Sequence, residues 1–360
     1  MKKLLFTLMV LGCTMLLSAQ TNEHFWYNGR MMFGTTIAQT DSLTFGDDVL
    51  VDTLHLLLPR AGAITVHDTV RLYVHDTIYV NICAENGADT ASTAHSDTAT
   101  AILPPTGAIA GLFSVSAEKK VLFSSGNLQF WPAADQWRFA SKQYDMIGST
   151  NSKINVNYNG WIDLFGFGTS GFNNVAPTTT SSSNGSYPSG GANGLAGTNY
   201  DWGVYHSADL GDGQTAWRTL TNDEWKYLIN TRKNHGLLMG CATVVTSAAN
   251  VKGFVILPDD DIWVLPQGLT FTAMSEDWTT NTYTAEQWAM MEKNGAVFLP
   301  ADGYREEKTT RYVGSEGWYW STTVYSGTYS YSVNFGTMIN AGHQSDCTLG
   351  HCVRLVTDAK

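Results

Sequence analysis

Two runs near the C-terminus constrain the chain most: Gly314-Ser-Glu-Gly-Trp-Tyr-Trp-Ser-Thr-Thr323 and Gly350-His-Cys-Val-Arg-Leu-Val356. Trp320, Thr322 and Val324 alternate with Ser321, Thr323 and Tyr325, and Val353 and Leu355 repeat the pattern. A period of two with β-branched and aromatic residues is the signature of a strand with one buried face. Between the runs, residues 325–349 are rich in Tyr, Ser, Gly and Asn, poor material for a core and good material for contact. The rest of the domain therefore reads as a scaffold that buries one face of the closing strands and presents what lies between them.

Composition agrees with a loop-rich, β-containing exported chain. Hydrophobic residues make up 43% and charged residues only 15%, with 34 Gly, 12 Trp and 16 Tyr. The net charge of -11 repels phosphate backbones, and no basic stripe compensates, which excludes nucleic acid as a partner. Lys2 and Lys3 precede the apolar run Leu4–Leu17, which closes in Ser18-Ala-Gln20. Residues 1–19 thus read as a secretory signal peptide cut after Ala19, and the protein is expected in the periplasm, on the outer surface or outside the cell. An alternative processing site, Val10-Leu-Gly-Cys13, would leave Cys13 lipidated, although Leu16-Leu17 after the cysteine weighs against it. Export permits disulfides among Cys83, Cys241, Cys347 and Cys352, and the close pair Cys347 and Cys352 could bridge locally.

Residues 20–84 read as a β-rich module. Asn28-Gly29 is a hairpin turn between β-prone residues. The segment Phe25-Trp-Tyr-Asn-Gly-Arg30 … Ile37-Ala-Gln-Thr-Asp-Ser-Leu-Thr-Phe45 resembles a short module found behind the leader of many exported gut-bacterial proteins. Val66-His-Asp-Thr-Val-Arg-Leu-Tyr73 is repeated as Val74-His-Asp-Thr-Ile-Tyr-Val-Asn81, with period-two alternation that predicts an extended strand. His67 and His75 share a face, but no third ligand accompanies them, so no metal site is assigned. The apolar face of this strand must be buried, against residues 21–60 or in self-association with another chain. Residues 85–106, Ala/Thr/Ser-rich and ending in Leu103-Pro-Pro-Thr106, form a linker.

Residues 107–358 form the main domain. Phe113–Ser116, Lys120–Phe123, Asn127–Trp131 and Gln136–Phe139 read as strands, the last two flanking a proline turn. Residues 178–197 are polar and predict a surface insertion. Thr221-Asn-Asp-Glu224 and Thr284-Ala-Glu-Gln287 are capping boxes, each opening a short helix. Asn294-Gly295 ends the second. Gly253–Pro258 and Gly295–Pro300 read as buried strands. The fold class is α+β, with two short helices and antiparallel sheets.

Ala216–Trp225, Phe254–Asp259, Gly295–Arg305, Gly317–Thr322 and Gly350–Val356, in this order, resemble the Fibrobacter-type major paralogous domain. That family is similar to the C-type lectin-like and formylglycine-generating-enzyme folds. The resemblance implies a C-type lectin-like domain over residues 107–356 and either a binder or a thiol enzyme. Sulfatase-activating relatives use a cysteine pair with the spacing of Cys347 and Cys352, but here Cys352 lies inside the closing strand. The Glu-Pro-Asn and Trp-Asn-Asp motifs of calcium-dependent lectins are missing, and Asp259-Asp-Asp261 offers only weak support for Ca²⁺. No cofactor, metal site or catalytic residue is assigned.

What remains is a display surface. Trp318, Tyr319, Tyr325, Tyr329 and Tyr331 stand among small residues, and His343, Gln344 and Asp346 follow. Large rigid aromatics with adaptable polar neighbours make contact area at low entropic cost. The expectation is a non-catalytic recognition or adhesion protein for a protein or glycan. The alternatives are a formylglycine-generating-type thiol enzyme or a structural surface-assembly protein.

Overall fold

The structure, a computed structural model, describes residues 104–180, 187–188, 194–259, 263–336 and 338–359, and the strand backbones within residues 23–83. Two units separate at Leu103/Pro104. In the first, β1 (Glu23–Tyr27) pairs antiparallel with β2 (Arg30–Thr35), Tyr27 opposite Arg30. β3 (Thr53–Leu57) pairs parallel with β4 (Tyr79–Cys83). The leader, Cys13, His67, His75 and the remainder of the repeat before Tyr79 lie outside the described residues.

The second unit mixes several sheets with a few short helices. β5 (Phe113–Ser114), β6 (Lys120–Phe123), β19 (Leu355–Asp358) and β9 (Arg218–Thr219) form an antiparallel sheet in the order β5-β6-β19-β9. The C-terminal strand is thus central rather than peripheral. β7 (Leu128–Trp131) and β8 (Gln136–Phe139) make the expected hairpin around Pro132. A short helix that the sequence reading missed, α1 (Trp202–His206), is capped by Asp201.

The two expected helices form from their capping boxes. In α2 (Asn222–Asn230) the Thr221 hydroxyl accepts from the Glu224 N–H, and Glu224 Oε2 accepts in return from the Thr221 N–H. In α3 (Ala285–Lys293) Thr284 and Gln287 do the same. These reciprocal bonds satisfy amides that the first helical turn leaves without partners. Gly295 follows at φ 92°, the left-handed position that ends α3.

β10 (Met239–Val245), β11 (Asn250–Ile256), β12 (Thr282–Thr284) and β13 (Val297–Pro300) build a sheet in the order β12-β10-β11-β13. Both of its faces are buried. Cys241, Phe254 and Ile256 enter one core with Trp225 and Leu228 of α2, while Val244, Val255 and Leu257 enter another with Trp288 and Met291 of α3. Burial on both faces is why Phe254-Val-Ile-Leu257 is a continuous apolar run rather than an alternating one. A third core gathers Phe130, Trp137, Phe165, Trp202, Trp320 and Leu355.

After the small hairpin β14 (Tyr304–Glu306) and β15 (Thr309–Arg311), the segment read as a display region folds into a three-stranded antiparallel meander, β16 (Gly317–Ser326), β17 (Tyr329–Phe335) and β18 (Ile339–Asp346). β17 is not merely presented: Ser330, Ser332, Val333 and Phe335 are buried. The insertion at residues 178–197 is also partly held down. Leu195 is fully buried, and its N–H donates to the Thr322 carbonyl.

Candidate functional site

The meander and the β14–β15 hairpin enclose a basin of about 530 Å³ lined by Tyr304, Tyr312, Glu316, Trp318, Tyr329, Asn334, His343, Gln344, Ser345, Asp346 and Leu349. Strand register brings these residues together. Trp318 pairs with Asn334, Ser332 with His343, Tyr331 with Gln344, and Tyr329 with Asp346. Five of the residues singled out in the sequence, Trp318, Tyr329, His343, Gln344 and Asp346, therefore share one concave surface.

Aromatic rings form its wall. Tyr312 lies 5.9 Å from Tyr304, Tyr304 lies 5.3 Å from Trp318, and Trp318 meets His343 edge-on at 4.8 Å. The Trp318 indole N–H donates to Glu316 Oε2 at 3.0 Å, which fixes the ring and places a carboxylate beside it. Burial lowers the His343 imidazole below its ordinary range, favouring the neutral form, against a smaller opposing pull from Glu316. Asn334 Oδ1 is buried in the basin wall with no hydrogen-bond partner in the protein.

The hairpin's closure on the basin has a backbone cost. A side chain on Gly303 would run into the Arg311 carbonyl, so glycine is required where the chain enters β14. Tyr312 occupies the left-handed region at φ 56°, a conformation that costs a non-glycine residue roughly 1–2 kcal/mol. That strained residue stands half-exposed at the rim, beside Tyr304.

Three of the singled-out aromatics are not in the basin. Tyr319 is a correction: it is fully buried, donates its hydroxyl proton to the Pro300 carbonyl and receives the Asn127 amide. On β16 the two neighbours take opposite faces, Trp318 toward the basin and Tyr319 toward the core. Tyr325 and Tyr331 pair edge-to-face at 5.3 Å, and the Lys226 ammonium of α2 lies 5.4 Å from the Tyr331 ring, away from the basin. Tyr304, Tyr312 and Asn334 were missed by sequence reasoning. Only Tyr304 carried a signal there, inside the run Ala301-Asp-Gly-Tyr-Arg305.

Of the two readings of Cys347 and Cys352, a local bridge or two unpaired structural thiols, the structure has the second. Both thiols are free and buried, in different cores. Cys347 Sγ lies 3.1 Å from Ser330 Oγ, and Cys352 Sγ is directed at Asp302 Oδ2, 3.8 Å away. Each side chain packs into its own core and against its own polar neighbour rather than against the other. Burial pushes the Cys347 thiol up to about 11 and the Cys352 thiol well above its ordinary value. Peptides carrying Cys241, Cys347 and Cys352 are therefore expected to stay unlabelled by iodoacetamide in the native protein and to label fully on denaturation, read by mass spectrometry.

Asp259, first of the acidic trio, is already engaged by Ser114, Arg232 and Lys120, while Asp260 and Asp261 lie outside the described residues. Among the described residues no group of three or more His, Cys, Asp or Glu side chains could hold a metal ion.

A second concavity of about 630 Å³, which the sequence did not suggest, is lined by Asp135, Gln136, Trp137, Arg138, Trp161, His206 and Asp209. Several of its polar groups are already used. The Arg138 guanidinium lies 3.8 Å over Trp161 with Nε donating to Gln129, and His206 faces Asp209 and the Ser170 carbonyl through its two ring nitrogens. No family model, curated protein or solved structure matches this chain.

Proposed function

We propose that the chain is an exported, non-catalytic recognition or adhesion protein whose C-type-lectin-like domain binds a protein or glycan in the meander basin. One observation carries this reading: Trp318, Tyr329, His343, Gln344 and Asp346, read as contact residues from side-chain chemistry and the fold resemblance, line one concave surface walled by aromatic rings. Pockets of this kind, aromatic with a few convergent polar groups, are the usual form of a ligand site. The buried, raised thiols support this reading over a thiol enzyme, because the nucleophile in such chemistry is the accessible thiolate.

The test is a comparison of the full mature chain with a Trp318→Ala/Tyr329→Ala variant on glycan and protein arrays. Losing two central aromatic anchors is expected to weaken binding by about 2–4 kcal/mol, roughly 30-fold or more. Ligands that bind the variant as tightly as the parent would place recognition elsewhere.

A further inference from the structure

We propose that the group this basin selects is an organic cation, an alkylammonium centre carried by the ligand. The inference rests on the recognition reading above and narrows it. Its basis is the chemistry of the lining. Four aromatic side chains, Tyr304, Tyr312, Trp318 and Tyr329, and two carboxyl side chains, Glu316 and Asp346, surround the space, and no lysine or arginine does. The polar atoms whose roles are fixed there are acceptors in excess of donors. The Trp318 N–H is spent on Glu316, and Asn334 Oδ1 is a buried acceptor without a partner. Burial holds His343 toward its neutral form, so it adds little positive charge. The guanidinium behind the basin, Arg305, is fully buried and donates to the carbonyls of Glu307, Leu164 and Thr179 rather than into the space.

The basin therefore offers π faces and negative charge together. A ring quadrupole attracts a cation over its face, by about 0.5–1 kcal/mol at an exposed ring and more when water is excluded, and clustered rings are the recurring solution for alkylated ammonium groups. An anionic ligand would face two carboxylates with no compensating side chain in the lining. A neutral polyol could use the amide and hydroxyl groups of the lining but carries no charge to draw on the carboxylates and ring faces. The mutual contacts of Tyr312, Tyr304, Trp318 and His343 hold the wall in place before any ligand arrives, and the strained Tyr312 backbone positions the rim ring.

The test uses the indole N–H resonance of Trp318 in the full chain, identified by its loss in Trp318→Phe. Choline and tetramethylammonium are titrated at millimolar concentrations beside the neutral tert-butyl isostere of choline. Nα-acetyl-lysine amide distinguishes a polypeptide side chain from a head-group source. The expected result is a saturable shift with the ammonium probes and none with the isostere. Glu316→Gln/Asp346→Asn and Tyr312→Ala should each weaken the shift about fivefold to tenfold, and Tyr312→Phe should preserve it. Unchanged melting of the variants separates lost binding from lost folding. The proposal is overturned if the neutral isostere shifts the resonance as far as choline does, or if no ammonium probe shifts it. A neutral array ligand that moves the Trp318 resonance while ammonium probes do not would overturn the cation inference and leave the recognition site standing. An array ligand that binds without moving it would overturn both.

Discussion

Replacing Asp259 by alanine is expected to cost the C-terminal unit about 3–5 kcal/mol, because it removes the carboxylate from a buried ion pair. Asp259 Oδ1 lies 3.3 Å from Arg232 Nη1, and the Arg232 side chain is only 1% exposed. The same carboxylate accepts from the Ser114 N–H and hydroxyl and pairs with Lys120 at 2.9 Å, tying the residue after the β11 segment to β5 and β6. Burial by itself would raise this acid. The Ser114 amide, Lys120 and the Ser114 hydroxyl outweigh it and hold Asp259 below the ordinary carboxylate range. A depressed folded-state value means stability that is present above the unfolded value and lost as pH falls through the folded one. Urea unfolding of the parent and Asp259→Ala should therefore differ most near neutrality and converge in acid. Equal stability at neutral pH would show that the pair contributes nothing net.

The second large effect concerns a buried acid pair of opposite sign. Asp163 and Asp302 are both fully buried and hydrogen-bonded to each other. Asp163 Oδ1 accepts from Asn151 Nδ2 at 2.7 Å and Oδ2 from the Ile147 N–H at 3.1 Å. Asp302 Oδ1 accepts from the Gly148 N–H at 2.7 Å. Burial raises both acids, and the neighbouring Asp163 charge raises Asp302 further, so Asp302 carries the shared proton. Asn is then a near-isostere at 302, its N–H₂ replacing the proton. At 163 it would set a donor against donors. Asp163→Asn is expected to lose about 1–3 kcal/mol. Asp302→Asn should be neutral or stabilising at neutral pH. For a raised folded-state value the sign reverses: stability is full below the unfolded value and falls as pH rises through the folded one. Asp201, which burial pushes up to about 6, adds a loss completed by about that pH. The Asp302 and Asp201 contributions are thus largest in acid, and Asp302→Asn should flatten the alkaline side. A larger loss from Asp302→Asn than from Asp163→Asn, in pH-resolved denaturation, would reverse the proton assignment.

Local signals were the legible part of this chain. The Thr221/Glu224 and Thr284/Gln287 capping boxes and the hairpin around Pro132 declare themselves within a few residues, and each forms where the sequence puts it. The mixed helix and sheet content followed from the same signals. What failed did so for physical reasons. Composition marked Trp318 and Tyr319 alike, and only the pleat separates them, one to the basin and one to the core. Tyr331 reads like Tyr329 until Lys226 of α2 is placed beside it. Tyr304 and Tyr312 reach the basin from a separate hairpin, Asp163 meets Asp302 across the fold, and spacing carries no trace of such long-range meetings. The cysteine spacing suggested a bridge, but proximity in sequence says nothing about which core each side chain enters.

The same folding logic explains why a basin with fixed walls arises here. β16 to β18 bury Tyr319, Val333 and Phe335 in the core that they share with α2, which fixes the backbone register. A fixed register then sets the side chains of the other lining positions at defined separations, with little entropy left to lose on binding. The most direct measurement is hydrogen–deuterium exchange on the full chain with and without a saturating array ligand. The account predicts slowed exchange concentrated in residues 316–319, 329–334 and 343–346. Protection confined to the hairpin of Trp131 and Trp137, or to residues 23–83, with the meander unchanged, would contradict it.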